Sequence, residues 1–147
     1  MTEEIEKAKQ KGLLMLGYGA LSARATKTRL IQKGFSEEAA QAAVEYLIEK
    51  KYIDENRDAV RLSESLIKKK YGKRRILSAI SAKGYGEAAL AAVEEYLDTV
   101  DFVELCRDLI KIKLKEMPKD RAEMQKAIAK LVALGYNVSE IKSALRG

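Results

Sequence analysis

Lys83-Gly84-Tyr85 is the middle one of three related tripeptides, with Lys33-Gly34-Phe35 fifty residues before it and Leu134-Gly135-Tyr136 fifty-one after it. Each follows one amphipathic stretch and precedes another. A glycine there suits a helix C-terminus, where the chain turns through φ > 0 and any Cβ is penalised. The aromatic beside it can pack back over the helix just ended. Three such turns at a near-constant interval predict three copies of one helical unit, stacked in a row.

Working outward, helix is favoured almost everywhere. Ala, Leu, Glu, Lys, Arg and Gln dominate, and proline occurs once. The first unit opens with a helix over residues 3–16, with Ile5, Ala8, Gly12 and Leu16 on one face, broken by Gly17-Tyr18-Gly19. Ser22 is the expected N-cap of a second helix reaching Lys33, with Thr26 and Leu30 inward. Ser36 caps a third, with Ala40, Ala43, Val44, Leu47 and Ile48 as its buried stripe. Asp54 caps a helix through about Tyr71, with Ala59, Leu62 and Leu66 inward, and Gly72 is expected to end it. Ile76, Leu77 and Ile80 mark the next helix, and Leu90, Val93 and Leu97 the one after Gly84. A shift of fifty lays Leu30 on Ile80, Ala40 on Leu90, Tyr46 on Tyr96 and Leu47 on Leu97. The third unit places Phe102, Leu105, Leu109 and Ile112 inward, with Lys111, Lys113 and Lys115 outside. Pro118 closes that helix or starts the next. Met124, Ala127, Ile128 and Leu131 form the next stripe, and Ile141, Ala144 and Leu145 the last. The expectation is an all-α chain of three three-helix modules, 1–53, 54–100 and 101–147. The modules resemble helix-turn-helix units, and the array should be elongated and curved.

Composition narrows the chemistry. The chain has 147 residues, 34% of them charged, and no histidine, so Ser-His and Cys-His nucleophiles and imidazole metal sites are excluded. An enzyme, a cofactor and a metal site are therefore not expected. The lone Cys106 has no disulfide partner, which fits a reducing cytoplasm, and it should be partly buried. No apolar run is long enough for a membrane span, and the acidic start Met1-Thr2-Glu3-Glu4 does not resemble a secretory signal. The net charge of +6 is banded: residues 1–56 sum to zero, 57–85 to +7, 86–110 to −6 and 111–147 to +5.

With these residues in hand, a family resemblance can be stated. Residues 22–35, Ser-Ala-Arg-Ala-Thr-Lys-Thr-Arg-Leu-Ile-Gln-Lys-Gly-Phe, are similar to a pattern of the RecX family. Lys51-Tyr52-Ile53-Asp54-Glu55-Asn56-Arg57-Asp58-Ala59 resembles its Gly-Tyr-Leu-Asp-Asp stretch followed by Arg-Phe-Ala. Gly72-Lys73-Arg74-Arg75-Ile76 through Lys83-Gly84-Tyr85 resembles its Gly-x-x-Arg-Ile…Lys-Gly element. There are departures. Ala25 and Thr26 stand where Glu-Leu is usual, and Lys51 replaces a glycine. Asp58 replaces a core phenylalanine, so either that contact is absent or the helix turns inward on Ala59, Leu62 and Leu66. The resemblance implies a non-enzymatic cytoplasmic regulator, acting as a monomer in recombination, DNA repair and the SOS response. It would bind RecA filaments on single-stranded DNA and inhibit ATP hydrolysis, strand exchange and coprotease activity.

The contact surface is expected in the second module. Lys68, Lys69, Lys70, Lys73, Arg74 and Arg75 put six cations in eight residues, suited to phosphates or an acidic protein face. Arg74 and Arg75 lead this group, because guanidinium binds phosphate or carboxylate through two parallel bonds. Arg57 and Arg61, with Arg24, Lys27 and Arg29, would extend the strip. The bland reading of such a run is a solvated face whose lysines favour a helix C-terminus. An alternative function is direct nucleic-acid binding through the helix-turn-helix-like modules. The acidic residues Glu87, Glu94, Glu95, Asp98, Asp101, Glu104 and Asp108 lack a loop that would cage calcium, and pairing with a neighbouring basic module, or with a partner's basic face, is expected. Tyr46, Tyr85, Tyr96 and Tyr136 recur at repeat positions and should pack, whereas Tyr18 and Tyr71, beside helix breaks, are the better contact candidates.

Overall fold

The computed structural model describes residues 2–114 and 116–146; Lys115, expected on the outer face of the third module, lies outside them. Among the described residues there are nine α-helices and no strand. They are α1 (Thr2–Tyr18), α2 (Ala23–Gln32), α3 (Glu37–Glu49), α4 (Glu55–Lys68), α5 (Lys73–Ala82), α6 (Glu87–Leu97), α7 (Phe102–Lys113), α8 (Arg121–Ala133) and α9 (Val138–Arg146). The close helix pairings fall into three sets: α1, α2 and α3; α4, α5 and α6; α7, α8 and α9. In each set the first and third helices form the main contact. The accessible surface is 9378 Å². A compact protein of 16.4 kDa exposes about 7,500 Å², so the excess fits an extended array.

The starts of the helices follow from local chemistry. Ser22, Ser36, Asp54, Asp101 and Asp120 each accept a backbone N–H three residues on, the bond that an N-cap supplies. Asn137 and Glu140 cap each other reciprocally at α9. The helix ends are equally regular. Gly34, Gly84 and Gly135 hold φ of 103°, 88° and 108°. Gly34 and Gly135 close full Schellman turns, with Phe35 and Tyr136 donating to Leu30 and Leu131.

Two further helix ends use lysine where glycine would be easier. Lys51 and Lys70 take φ of 66° and 65°, and Tyr52 and Tyr71 follow them as the closing aromatics. A side chain there costs on the order of 1 kcal/mol relative to glycine. The turn at Lys70, not Gly72, therefore ends α4, whose last helical residue is Lys68, three residues before the expected Tyr71. Gly72 is instead the N-cap of α5.

The core follows the expected stripes with local corrections. Leu30, Ala40, Ala43, Val44, Leu47 and Ile53 bury with Ala8, whereas Ile48 is 45% exposed. Gly12 lets α1 approach α3, because a Cβ there would lie 2.7 Å from Leu47. In α7 Phe102 and Leu109 are buried as expected and Leu105 packs against the core, but Cys106 and Ile110 complete the buried face and Ile112 is 65% exposed. Pro118 belongs to neither helix but lies in the connection between α7 and α8. Asp58 and Ala59 are both buried, and the Asp58 carboxylate accepts from Arg57 Nε at 3.0 Å.

The first module has its own apolar core, while the second and third share one continuous core running from Ala59 to Ala144. Cys106 is fully buried in the shared core, not partly as expected, and burial pushes its thiol pKa up to about 11 from the usual 9.0. Burial also raises the phenols of Tyr136 and Tyr85 above their ordinary value. These groups hold their protons more tightly when folded. Their contribution is complete below the unfolded pKa and is lost as pH rises through the folded one. Urea midpoints should accordingly fall from pH 9 to pH 11, and native Cys106 should resist a thiol reagent at pH 8 that modifies the unfolded chain. A flat midpoint across that range would contradict this reading.

Candidate functional site

The glycine turn of each later module packs onto the start of the second helix of the module before it. At the junction of the second and third sets, Gly72 N–H donates to Leu134 C=O at 2.8 Å and Arg74 N–H to Gly135 C=O at 3.2 Å. Tyr136 O–H donates to Lys70 C=O at 2.6 Å. At the junction of the first and second, Ser22 Oγ donates to Lys83 C=O at 3.0 Å. There the Glu55 carboxylate accepts from Ala23 N–H at 2.8 Å and Gly86 N–H at 3.1 Å, capping two helices that belong to different modules. Glu4 plays a related part inside the first module. It accepts from both the N–H and the hydroxyl of Ser36, which lowers its carboxyl pKa.

This geometry divides the expected cations. Arg74 donates to Val132 C=O across the second junction, and Arg75 lies over the Tyr71 ring at 4.2 Å. Both side chains are exposed, but each has an intramolecular task. Lys73 reaches Asp98 at 3.8 Å, Lys27 reaches Glu37 at 3.4 Å, and Arg57 is held by Asp58. Lys68 and Lys69 are exposed, and Lys70 is half-buried at its strained turn.

Arg24, Arg29 and Arg61 of the expected strip converge with a lysine outside it. Arg29 from α2, Arg61 from α4 and Lys83 from the glycine turn line a groove of about 530 Å³ between the first and second modules. Leu62 and Tyr85 contribute its apolar side. A contiguous depression adds Arg24. Among the described residues no carboxylate lines either, since Glu55 is turned onto backbone N–H groups. Arg24, Arg29, Arg61 and Lys83 form no ion pair among the described residues. Unneutralised cations over a partly apolar floor suit a phosphate or a carboxylate, guanidinium being the more easily desolvated of the two cation types. Lys83 is the member sequence reading missed. Its only signal was its place in the repeated turn, which the fold sets against Ser22.

Of the other candidates, Tyr46, Tyr85, Tyr96 and Tyr136 pack against the cores, and Tyr18 is 89% exposed. Tyr71 is not free; it packs on the shared core beneath Arg75. Among the described residues no group of three or more acidic or cysteine side chains is placed to hold a metal ion. No helix of the described residues is long and apolar enough to cross a membrane.

The fold and groove together define a class: an all-α protein of repeated three-helix units with a cationic junction. Solved structures share that fold, among them two of RecX proteins. RecX from Lactobacillus salivarius superposes with a TM-score of 0.86 at 18% identity, over 99% of this chain and 97% of the other. A structure of regulatory protein RecX superposes with a TM-score of 0.83 at 19% identity, over 99% of this chain and 73% of that one. The chain has the RecX fold. No family model and no curated protein sequence matches it.

Proposed function

We propose that this chain is a RecX-type regulator that binds RecA filaments on single-stranded DNA and inhibits the recombinase, ATPase and coprotease activities. It would act as a monomer in the cytoplasm, built from modules 1–53, 54–100 and 101–147. The observation that carries the reading is a RecX fold over 99% of this chain, with four cations outside any ion pair among the described residues at the junction of the first two modules. Arg24, Arg29, Arg61 and Lys83 take the anionic partner, and the exposed Lys68 and Lys69 add positive charge at the end of α4, the helix that carries Arg61. Such contacts raise association rates and weaken with salt.

The test is RecA ATPase on single-stranded DNA, titrated with the protein. The wild type should lower turnover at sub-stoichiometric ratios. Arg29→Glu/Arg61→Glu should need about tenfold more protein, because one face is reversed in charge and neither side chain is in an ion pair. Turnover that ignores the wild type overturns the function. Inhibition that ignores the double reversal overturns the groove alone. Naked single-stranded DNA separates the alternative reading, which requires tight binding with a steep salt dependence.

A further inference from the structure

The third module departs from the other two at one place. The first-to-second helix connections are residues 19–22 and 69–72 in the earlier modules, but 114–120, with Pro118 inside it, in the third. There α8 packs on α9 and barely meets α7, whereas α2 packs on α1 and α5 on α4. The result is a cleft of about 260 Å³ between α7 and α8. Its floor is aliphatic: Ile110 and Leu114 on one side, Leu131 and Leu134 on the other. Among the described residues, the only charged ones lining it are Lys113 and Lys130, one from each helix, and neither forms an ion pair there.

We propose that this cleft is a docking site for an acidic amphipathic segment of a partner protein, which inserts a large apolar side chain between α7 and α8 and sets carboxylates against Lys113 and Lys130. Leu114 and Leu134, half-buried beside the buried Ile110 and Leu131, gain by being covered. The lysine stems extend the apolar wall while their ammonium groups stay solvated at the rim. The insertion supplies the affinity, and the two cations select an acidic sequence over a basic one. Nucleic acid fits poorly, because the described lining residues offer no aromatic face for a base to stack on. The volume is also below that of pockets which enclose drug-sized ligands, so a single inserted side chain suits it better than a free small molecule. The site is separate from the cationic junction and stands whether or not that junction binds a filament.

The probe is a fluorescein-labelled acidic peptide carrying one leucine–phenylalanine pair, titrated with the full chain and followed by anisotropy. A control peptide has both apolar residues replaced by serine. The first should bind and the control should bind at least about tenfold more weakly. Lys113→Glu/Lys130→Glu should weaken binding of the first by a similar factor, as should Ala133→Trp, an exposed lining residue enlarged to fill the cleft. Arg29→Glu/Arg61→Glu should bind like the wild type. Circular dichroism checks that each variant is folded, and if Ala133→Trp is not, the lysine reversal decides. Equal binding of the serine peptide overturns the proposal. So does binding that survives the lysine reversal, binding lost only in the arginine reversal, or no binding at all.

Discussion

Gly72→Ala should lower the unfolding free energy by about 3 kcal/mol, whereas Gly34→Ala should cost only about 1 kcal/mol. The two glycines are needed for different reasons. Gly34 has φ of 103° with nothing near its missing Cβ, so alanine there suffers only the left-handed backbone penalty. Gly72 has φ of −79°, which any residue adopts. Its difficulty is space. A Cβ would lie 2.3 Å from the Gly135 carbonyl carbon, 2.5 Å from Tyr136 N and 2.6 Å from Gly135 O. Those are backbone atoms in a hydrogen-bonded junction and cannot swing aside like the end of a side chain. The junction must open, weakening the bonds to Leu134 and Gly135 and the Tyr136 hydroxyl bond to Lys70. Urea denaturation of both variants measures the difference. Equal costs would mean that the two turns do not meet as closely as described.

Leu30→Ala and Ile80→Ala should each remove about 3 kcal/mol, but from different parts of the molecule. Both side chains are fully buried and occupy repeat-equivalent positions. Leu30 belongs to the core of the first module alone, and Ile80 to the core shared by the second and third. Hydrogen exchange should therefore show Leu30→Ala releasing amides mainly within residues 2–53, with α4 to α9 still protected. Ile80→Ala should release α4 to α9 together. Uniform loss in both variants would show that the junction at Ser22 and Glu55 couples the first module as tightly as a shared core would.

Much of the architecture was legible because it rests on short-range chemistry. Ser22, Ser36 and Asp54 announce helix starts, the Gly-aromatic turns announce ends, and the spacing of Leu30 and Ile80 shows the repeat. Errors arose where position mattered more than pattern. Gly72 looks like a helix end, yet Lys70 takes that strained place because Gly72 is needed for contact with Gly135. Ile112 fits the stripe of α7 by spacing, but the burial of Cys106 and Ile110 turns that stripe aside. The site was legible as charge and not as place. The densest cations, Arg74 and Arg75, were the natural choice, but one bonds a carbonyl of the next module and the other covers Tyr71.

From the amino acids alone came helical content, three repeated units, their caps and glycine turns, and the exclusion of histidine chemistry; each depends on residues within a few positions of one another. The tertiary structure decided which modules share a core, which basic side chains stay unpaired, and that Arg29, Arg61 and Lys83 face one groove. Those outcomes depend on how one module's turn seats on the next, a contact between residues some sixty positions apart, such as Ser22 and Lys83, that local periodicity does not encode.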